Sequence, residues 1–175
     1  MLSIGIDIGV AGGVAAISSV MQSVIQMPIF QGTAGGSKSK TDIVAVRDWI
    51  VAQQQQYRQI LADRGMPDDT VVCVTMEAVH AMPGQGVTSM FNFGMGFGML
   101  QAMTLCQGWR LQLVTPQAWK ASILAGTPKD KTAAIEHVRA TFPSLDLNVG
   151  VRKIKYHDGM ADAVCQAEYG AKIAQ

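Results

Sequence analysis

Four carboxylates stand at positions where a charge is costly unless it has work to do. Asp7 lies near the end of the apolar run 2–8, in Ile6-Asp7-Ile8-Gly9. An acid there must be paired, hydrogen-bonded or bound to a metal. The plainer reading is a strand-end aspartate that caps a turn at Gly9. Glu77 repeats the pattern: it closes the apolar run 71–76 and enters a Gly/Pro loop. Asp158 and Asp162 follow in His157-Asp158-Gly159-Met160-Ala161-Asp162. Their spacing of four puts both on one face of a helix. Asp158 could serve only as that helix's N-cap. Asp162 is harder to dismiss, because Ala163, Val164, Ala167 and Ala171 make that end of the helix apolar.

Taken together, the four acids suit hard cations. Convergent carboxylates repel unless a cation lies between them. Oxygen donors with little His or Cys suit Mg²⁺ or Mn²⁺ better than zinc. Two such ions, about 4 Å apart, can activate a water and stabilise the leaving oxygen of a phosphodiester. Asp7, Glu77, Asp158 and Asp162 are therefore the candidate catalytic and metal-binding residues. His157 lies five residues from Asp162 and off its face, so it reads as a residue that supports the site or touches a nucleic acid. Basic residues gather nearby: Arg152, Lys153 and Lys155 lead into the Asp158 motif, and Lys120, Lys129 and Lys131 follow the fifth strand. Such cations can hold phosphates or stabilise transition-state charge. Any one of them can equally be a solvated surface lysine.

The elements that must position these acids can be read from pattern. Residues 2–8, 13–18 and 20–27 read as three strands of an antiparallel meander. The Gly/Ser/Lys-rich stretch 31–40 reads as a flexible loop. A helix capped by Thr41 runs to about Arg64, with Ile43, Val46, Ile50, Tyr57 and Leu61 as its buried stripe. A fourth strand covers 71–76, a Pro/Gly loop 78–87, and a long helix 88–107. In that helix Met95, Met99 and Met103 form a stripe that reads as core or dimer interface, and Gly94 and Gly98 suggest close packing. Phe91 and Phe93 are expected to pack as well. A fifth strand at 109–114 precedes a short helix from Pro116 to Leu124, a helix at 129–142, an irregular basic segment at 144–157, and a last helix at 158–173. The fold class expected is α/β: a mixed sheet of about five strands flanked by helices. The strand carrying Glu77 must pair with the strand carrying Asp7 if the acids are to meet.

Composition narrows the classes. The 175 residues are expected to form a single domain, residues 1–175, with 49% hydrophobic and 15% charged residues and a net charge of +1. Any basic face must therefore be local. Cys73, Cys106 and Cys165 are scattered, with no CxxC pair, and read as buried free thiols of a reducing, cytoplasmic compartment. No signal peptide and no membrane span are expected. Gly94-Met95-Gly96-Phe97-Gly98 lacks the spacing and context of a dinucleotide loop, so no nucleotide cofactor is expected.

The sequence also resembles the RuvC-like Holliday-junction resolvases, in particular their phage-type and chloroplast-type branch. The resemblance rests on Gly5-Ile6-Asp7-Ile8-Gly9 with Gly12-Gly13-Val14-Ala15, then Glu77-Ala78-Val79-His80-Ala81-Met82-Pro83-Gly84-Gln85-Gly86-Val87. It continues through Ser89, Phe91 and Gly94, Val114-Thr115-Pro116 with Trp119-Lys120, Lys129-Asp130-Lys131, and the run from Asp158 to Ala163 followed by Ala167-Glu168-Tyr169-Gly170. These blocks span nearly the whole chain, and the Met-Pro-Gly-Gln-Gly loop is the most specific of them. The resemblance implies an RNase H-like fold, a homodimer, two-metal hydrolysis, and paired nicks in opposed strands of a four-way DNA junction. It carries the metal-binding catalytic role onto Asp7, Glu77, Asp158 and Asp162. In bacterial RuvC the last two acids are usually three apart; here they are four apart. Relatives often open the junction with an aromatic wedge near the glutamate, where this chain offers His80 and Met82. Those two residues and Gln85 join the basic residues and His157 as candidate DNA contacts.

Other classes remain open on sequence alone. Asp7-x-Gly9 with Gly12-Gly13 looks like the first phosphate loop of an actin-like or sugar-kinase phosphotransferase, but no second Gly-rich phosphate segment follows. A catalytically dead junction-binding module and an RNase H-like nuclease acting on RNA or flaps are the further alternatives.

Overall fold

The computed structural model describes residues 1–30, 40–68, 70–80, 84, 86–127, 130, 132–151 and 153–174. In chain order its elements are β1 (Leu2–Asp7), β2 (Gly13–Ile17), β3 (Gln22–Gln26), β4 (Ile29–Phe30), β5 (Lys40–Thr41), α1 (Ile43–Asp63), β6 (Val72–Glu77), α2 (Val87–Cys106), β7 (Arg110–Val114), α3 (Pro116–Ile123), α4 (Ala133–Thr141) and α5 (Asp158–Ile173).

Five strands form one mixed sheet in the order β3-β2-β1-β6-β7. The first three are the expected antiparallel meander. β6 then joins β1 in parallel, and β7 joins β6 in parallel. Parallel neighbours need a crossover, which α1 and α2 supply. A second, two-stranded sheet of β4 and β5 flanks the segment read as a loop. Residues 31–39 of that segment lie outside the described residues.

Strand alternation divides the core in two. Leu2, Ile4 and Ile6 of β1 and Val72, Val74 and Met76 of β6 face one way. They pack with Val46, Ile50, Tyr57 and Leu61 of α1, the stripe read from the sequence. The opposite face is covered by α5. There Ala15, Ile17 and Val114 meet Trp119, Ala163, Val164 and Ala167. α5 sits very close to the sheet: a methyl on Gly5 would lie 1.9 Å from the Ala163 carbonyl oxygen. Glycine at this strand position is what allows the approach.

Several boundaries differ from expectation for local reasons. Asp42, not Thr41, caps α1, its carboxylate accepting from the Ala45 amide at 3.0 Å; Thr41 is taken up by β5. The helix expected at 129–142 begins only at Ala133. Asp130 instead closes a turn by accepting from the Thr132 amide and hydroxyl, both at 2.8 Å. Asp158 is not the cap of α5. His157 holds that position, its Nδ1 accepting from the Met160 amide at 3.1 Å.

The long helix departs most from its reading. Only Leu100 and Thr104 of α2 are buried. Met95 and Met99 are exposed, as are Phe91 and Phe93, so these side chains are not core. A Cβ at Gly94, Gly96 or Gly98 would meet nothing within 4 Å, so within the chain these glycines permit no close contact. Cys73 and Cys165 are buried, but Cys106 is exposed, against the expectation of three buried thiols. Among the described residues no helix is long and apolar enough to cross a membrane.

Candidate active site

Register brings the first two acids together. Ile6 pairs with Met76 across the parallel β1–β6 ladder, so Asp7 and Glu77 come next on adjacent strands. Both fall on the α5 face. Gly5 precedes Asp7 by two and touches α5; Thr75 precedes Glu77 by two and lies against Gly170 of α5. A period of two therefore aims both carboxylates toward that helix.

The start of α5 is docked on the turn after β1. Gly12 bridges Gly159. A methyl on Gly159 would come within 2.9 Å of Asp7 Oδ2 and 2.3 Å of the Ala11 carbonyl oxygen. A methyl on Gly12 would in turn strike the Asp7 carbonyl oxygen at 2.0 Å. The turn passes through Gly9, whose φ of 123° suits glycine. The Gly-rich sequence after Asp7 thus serves close packing against the Asp158–Asp162 turn.

α3 closes the far side. Thr115 caps it and Pro116 opens it. Trp119 is completely buried, and its indole Nε1 donates to Glu77 Oε2 at 3.1 Å. A buried indole N–H needs an acceptor, and a carboxylate gains a donor that fixes its orientation. The ammonium of Lys120 lies 5.1 Å from the Trp119 ring centre. Sequence reading missed this use of Trp119, because position 119 meets Glu77 only through tertiary packing.

The four acids lie within electrostatic reach of one another. Burial, followed by the charges of Asp162, Glu77 and Asp158, pushes Asp7 up to about 8, with Lys120 opposing. Burial likewise raises Asp162 to about 6; Lys120 pulls against it, while Glu77 and Asp158 add to it. Asp158 is exposed, and its Oδ1 accepts from the Gly159 amide at 3.0 Å. The cluster thus carries more negative charge than its own lysine offsets. Among the described residues no three His, Cys, Asp or Glu side chains stand as a ready metal-holding group. By donor chemistry and uncompensated charge, however, the four carboxylates fit hard divalent cations.

The remaining described candidates lie at the surface or at the start of α5. His80 is exposed three residues beyond Glu77, and Lys120 is exposed on α3. Lys153 and Lys155 are exposed on the segment leading into α5, and His157 is half-buried as its cap. Met82, Gln85, Lys129 and Lys131 lie outside the described residues.

Thermus thermophilus RuvC in complex with a Holliday junction substrate aligns with a TM-score of 0.53 at 16% identity, over 99% of this chain and 94% of that one. Thermus thermophilus RuvC alone aligns with a TM-score of 0.51 at 15% identity, over 99% and 97%. The chain has the RNase H-like fold of RuvC. No protein-family model matches it, and no curated protein matches it. The RuvC likeness places the meander, the parallel β6 and the closing helix α5 in one known architecture.

Proposed function

We propose that this protein is a divalent-metal-dependent endonuclease that resolves four-way DNA junctions, acting as a homodimer. The observation that carries the proposal is the convergence of Asp7, Glu77, Asp158 and Asp162 beside Lys120, at the ends of β1 and β6 and the start of α5. Its RuvC-type fold supports the junction as substrate, since one structure with that fold is RuvC bound to a Holliday junction.

In this reading the four carboxylates hold Mg²⁺ or Mn²⁺. Such ions, when bound, polarise a phosphodiester and lower the barrier to attack by water. The chain's own residues prepare the site. Trp119 keeps one oxygen of Glu77 committed to a fixed donor. The Gly12–Gly159 contact holds α5 against β1, so Asp7 and Asp162 stay within electrostatic reach. Lys120 supplies a cation for an extra phosphate charge. Lys153, Lys155 and His157, with His80, Met82 and Gln85 of the loop after Glu77 and with Lys129 and Lys131, are proposed to contact DNA.

The exposed apolar side of α2 supports the dimer. Val87, Phe91 and Leu105 are 85%, 69% and 60% exposed. They share that side with Gly94, Gly98 and Ala102, whose small size lets a second helix approach. A two-fold dimer presents two sites to a roughly two-fold junction.

The test is a cleavage assay on a synthetic four-way junction, beside duplex and flap controls of the same sequence, with Mg²⁺, Mn²⁺ or EDTA. Paired symmetric nicks on the junction alone, lost in EDTA and in Asp7→Asn, are expected. Equal cutting of every substrate would retain the nuclease and reject the resolvase; tight junction binding with no cutting would indicate a binding module.

A further inference from the structure

The segment between α4 and α5 carries an unusual surface. Val151 is 100% exposed and Ile154 is 71% exposed. Apolar side chains this exposed forgo burial in the core. Lys153 and Lys155 flank Ile154, both exposed, and among the described residues neither has an ion-pair partner. No acidic residue occurs from 147 to 157.

This surface is mounted on a well-tied loop. Asn148 bridges Tyr156, and the Val149 amide donates to the Lys155 carbonyl at 2.9 Å. The Asn148 side-chain oxygen accepts from the amides of Gly150 and Lys155 at 3.0 and 2.9 Å. A methyl on Gly150 would strike the Lys153 carbonyl oxygen at 1.7 Å, so the tip turns tightly. At the base, Leu147 is buried in the α5-side core and Arg139 of α4 stacks over the Tyr156 ring at 4.5 Å. The His157 amide donates to the Leu147 carbonyl, and His157 then caps α5. The loop therefore ends at Asp158, on the edge of the carboxylate cluster.

We propose that the loop residues 148–151 and 153–156 form a DNA-opening element: Val151 and Ile154 wedge against unstacked bases at the branch point while Lys153 and Lys155 hold the flanking phosphates. Apolar side chains pushed between base steps, with cations on the backbone, are a known way to deform a duplex. The charge of the loop selects a polyanion, and its tethered base lets it press without folding back. The inference rests on the nuclease reading above and adds an opening element outside the loop that follows Glu77.

The test uses the full chain in EDTA, so that no strand is cut, and a four-way junction with 2-aminopurine at the crossover. Wild type is expected to raise the fluorescence on binding, as bases unstack. Val151→Ser with Ile154→Ser is expected to lose at least half of that rise, to slow cleavage in Mg²⁺ about tenfold, and to change junction affinity less than about threefold. Its melting temperature should match wild type, because both side chains are exposed. Lys153→Gln with Lys155→Gln should instead weaken binding and reduce the salt slope by about two. Full unstacking by the serine variant would overturn the proposal. Junction binding by wild type with no fluorescence rise would overturn the wedge while leaving the resolvase reading intact; failure of wild type to bind any branched DNA would overturn both. Loss of binding to phosphatidylserine vesicles by the serine variant, with unstacking unchanged, would assign the loop to a membrane surface and overturn the DNA role.

Discussion

Replacing Asp7 with asparagine should make the metal-free protein more stable at pH 8. Asp7 is held at about 8 in the fold against 3.8 for an ordinary aspartate, first by burial and then by Asp162, Glu77 and Asp158. The folded state therefore keeps a proton that the unfolded chain releases. Stability from this group is fully present below about pH 4 and is lost as pH rises toward 8. At about 1.4 kcal/mol per unit, a shift of this size is an upper bound of roughly 5–6 kcal/mol at pH 8. Side-chain relaxation and water entry into a half-open site reduce that to ~2–3 kcal/mol. Asparagine keeps the shape and removes the charge. In EDTA at pH 8, Asp7→Asn should thus melt higher by about 5–10 °C, given ~2–4 °C per kcal/mol for a domain of this size. At pH 5 wild-type Asp7 is already protonated when folded, and the gap should fall below ~1 kcal/mol. Adding Mg²⁺ should raise the melting temperature of wild type more than that of the variant, because ligand bound only by the folded state stabilises it. Thermal melts at the two pH values, with EDTA or Mg²⁺, decide the matter. A variant that melts lower than wild type at pH 8, or a gap that ignores pH, would refute the account and make Asp7 a structural residue.

Trp119→Phe keeps most of the buried ring but removes the donor to Glu77; cleavage should fall about tenfold, with stability lowered by only ~1–2 kcal/mol in denaturant melts. Gln166 is completely buried one turn beyond Asp162, and among the described residues neither amide atom has a hydrogen-bond partner. Gln166→Met should therefore stabilise the protein by ~1–2 kcal/mol in urea titration, and a loss instead would mean that a buried water serves the amide. Gly159→Ala should cost ~1–3 kcal/mol and most of the activity, because the methyl would drive the start of α5 off Ala11 and Gly12. Lys120→Met removes the cation that lowers both Asp7 and Asp162, so the acid limb of the pH–rate profile should move to higher pH.

The sequence by itself determined the alternating strands, the order of the five main-sheet strands and the helices, and the four acids as candidates. Those signals are local: Leu2, Ile4 and Ile6 alternate, and the α1 stripe repeats with the helical period, so each shows its buried face without reference to the rest of the chain. Local patterns could not say which strand lies beside which. The parallel pairing of β6 with β1 joins residues about seventy apart in sequence and alone puts Glu77 next to Asp7. Tertiary packing also decided that Trp119 serves Glu77 and that His157 caps α5. It showed the apolar side of α2 to be surface, which hydrophobicity alone would assign to a core. Pattern reports what a residue prefers to contact; only the fold decides what comes within reach. A carboxylate's charge state is of the second kind, because Asp7 is pushed up to about 8 by burial and by neighbours brought to it from two other elements.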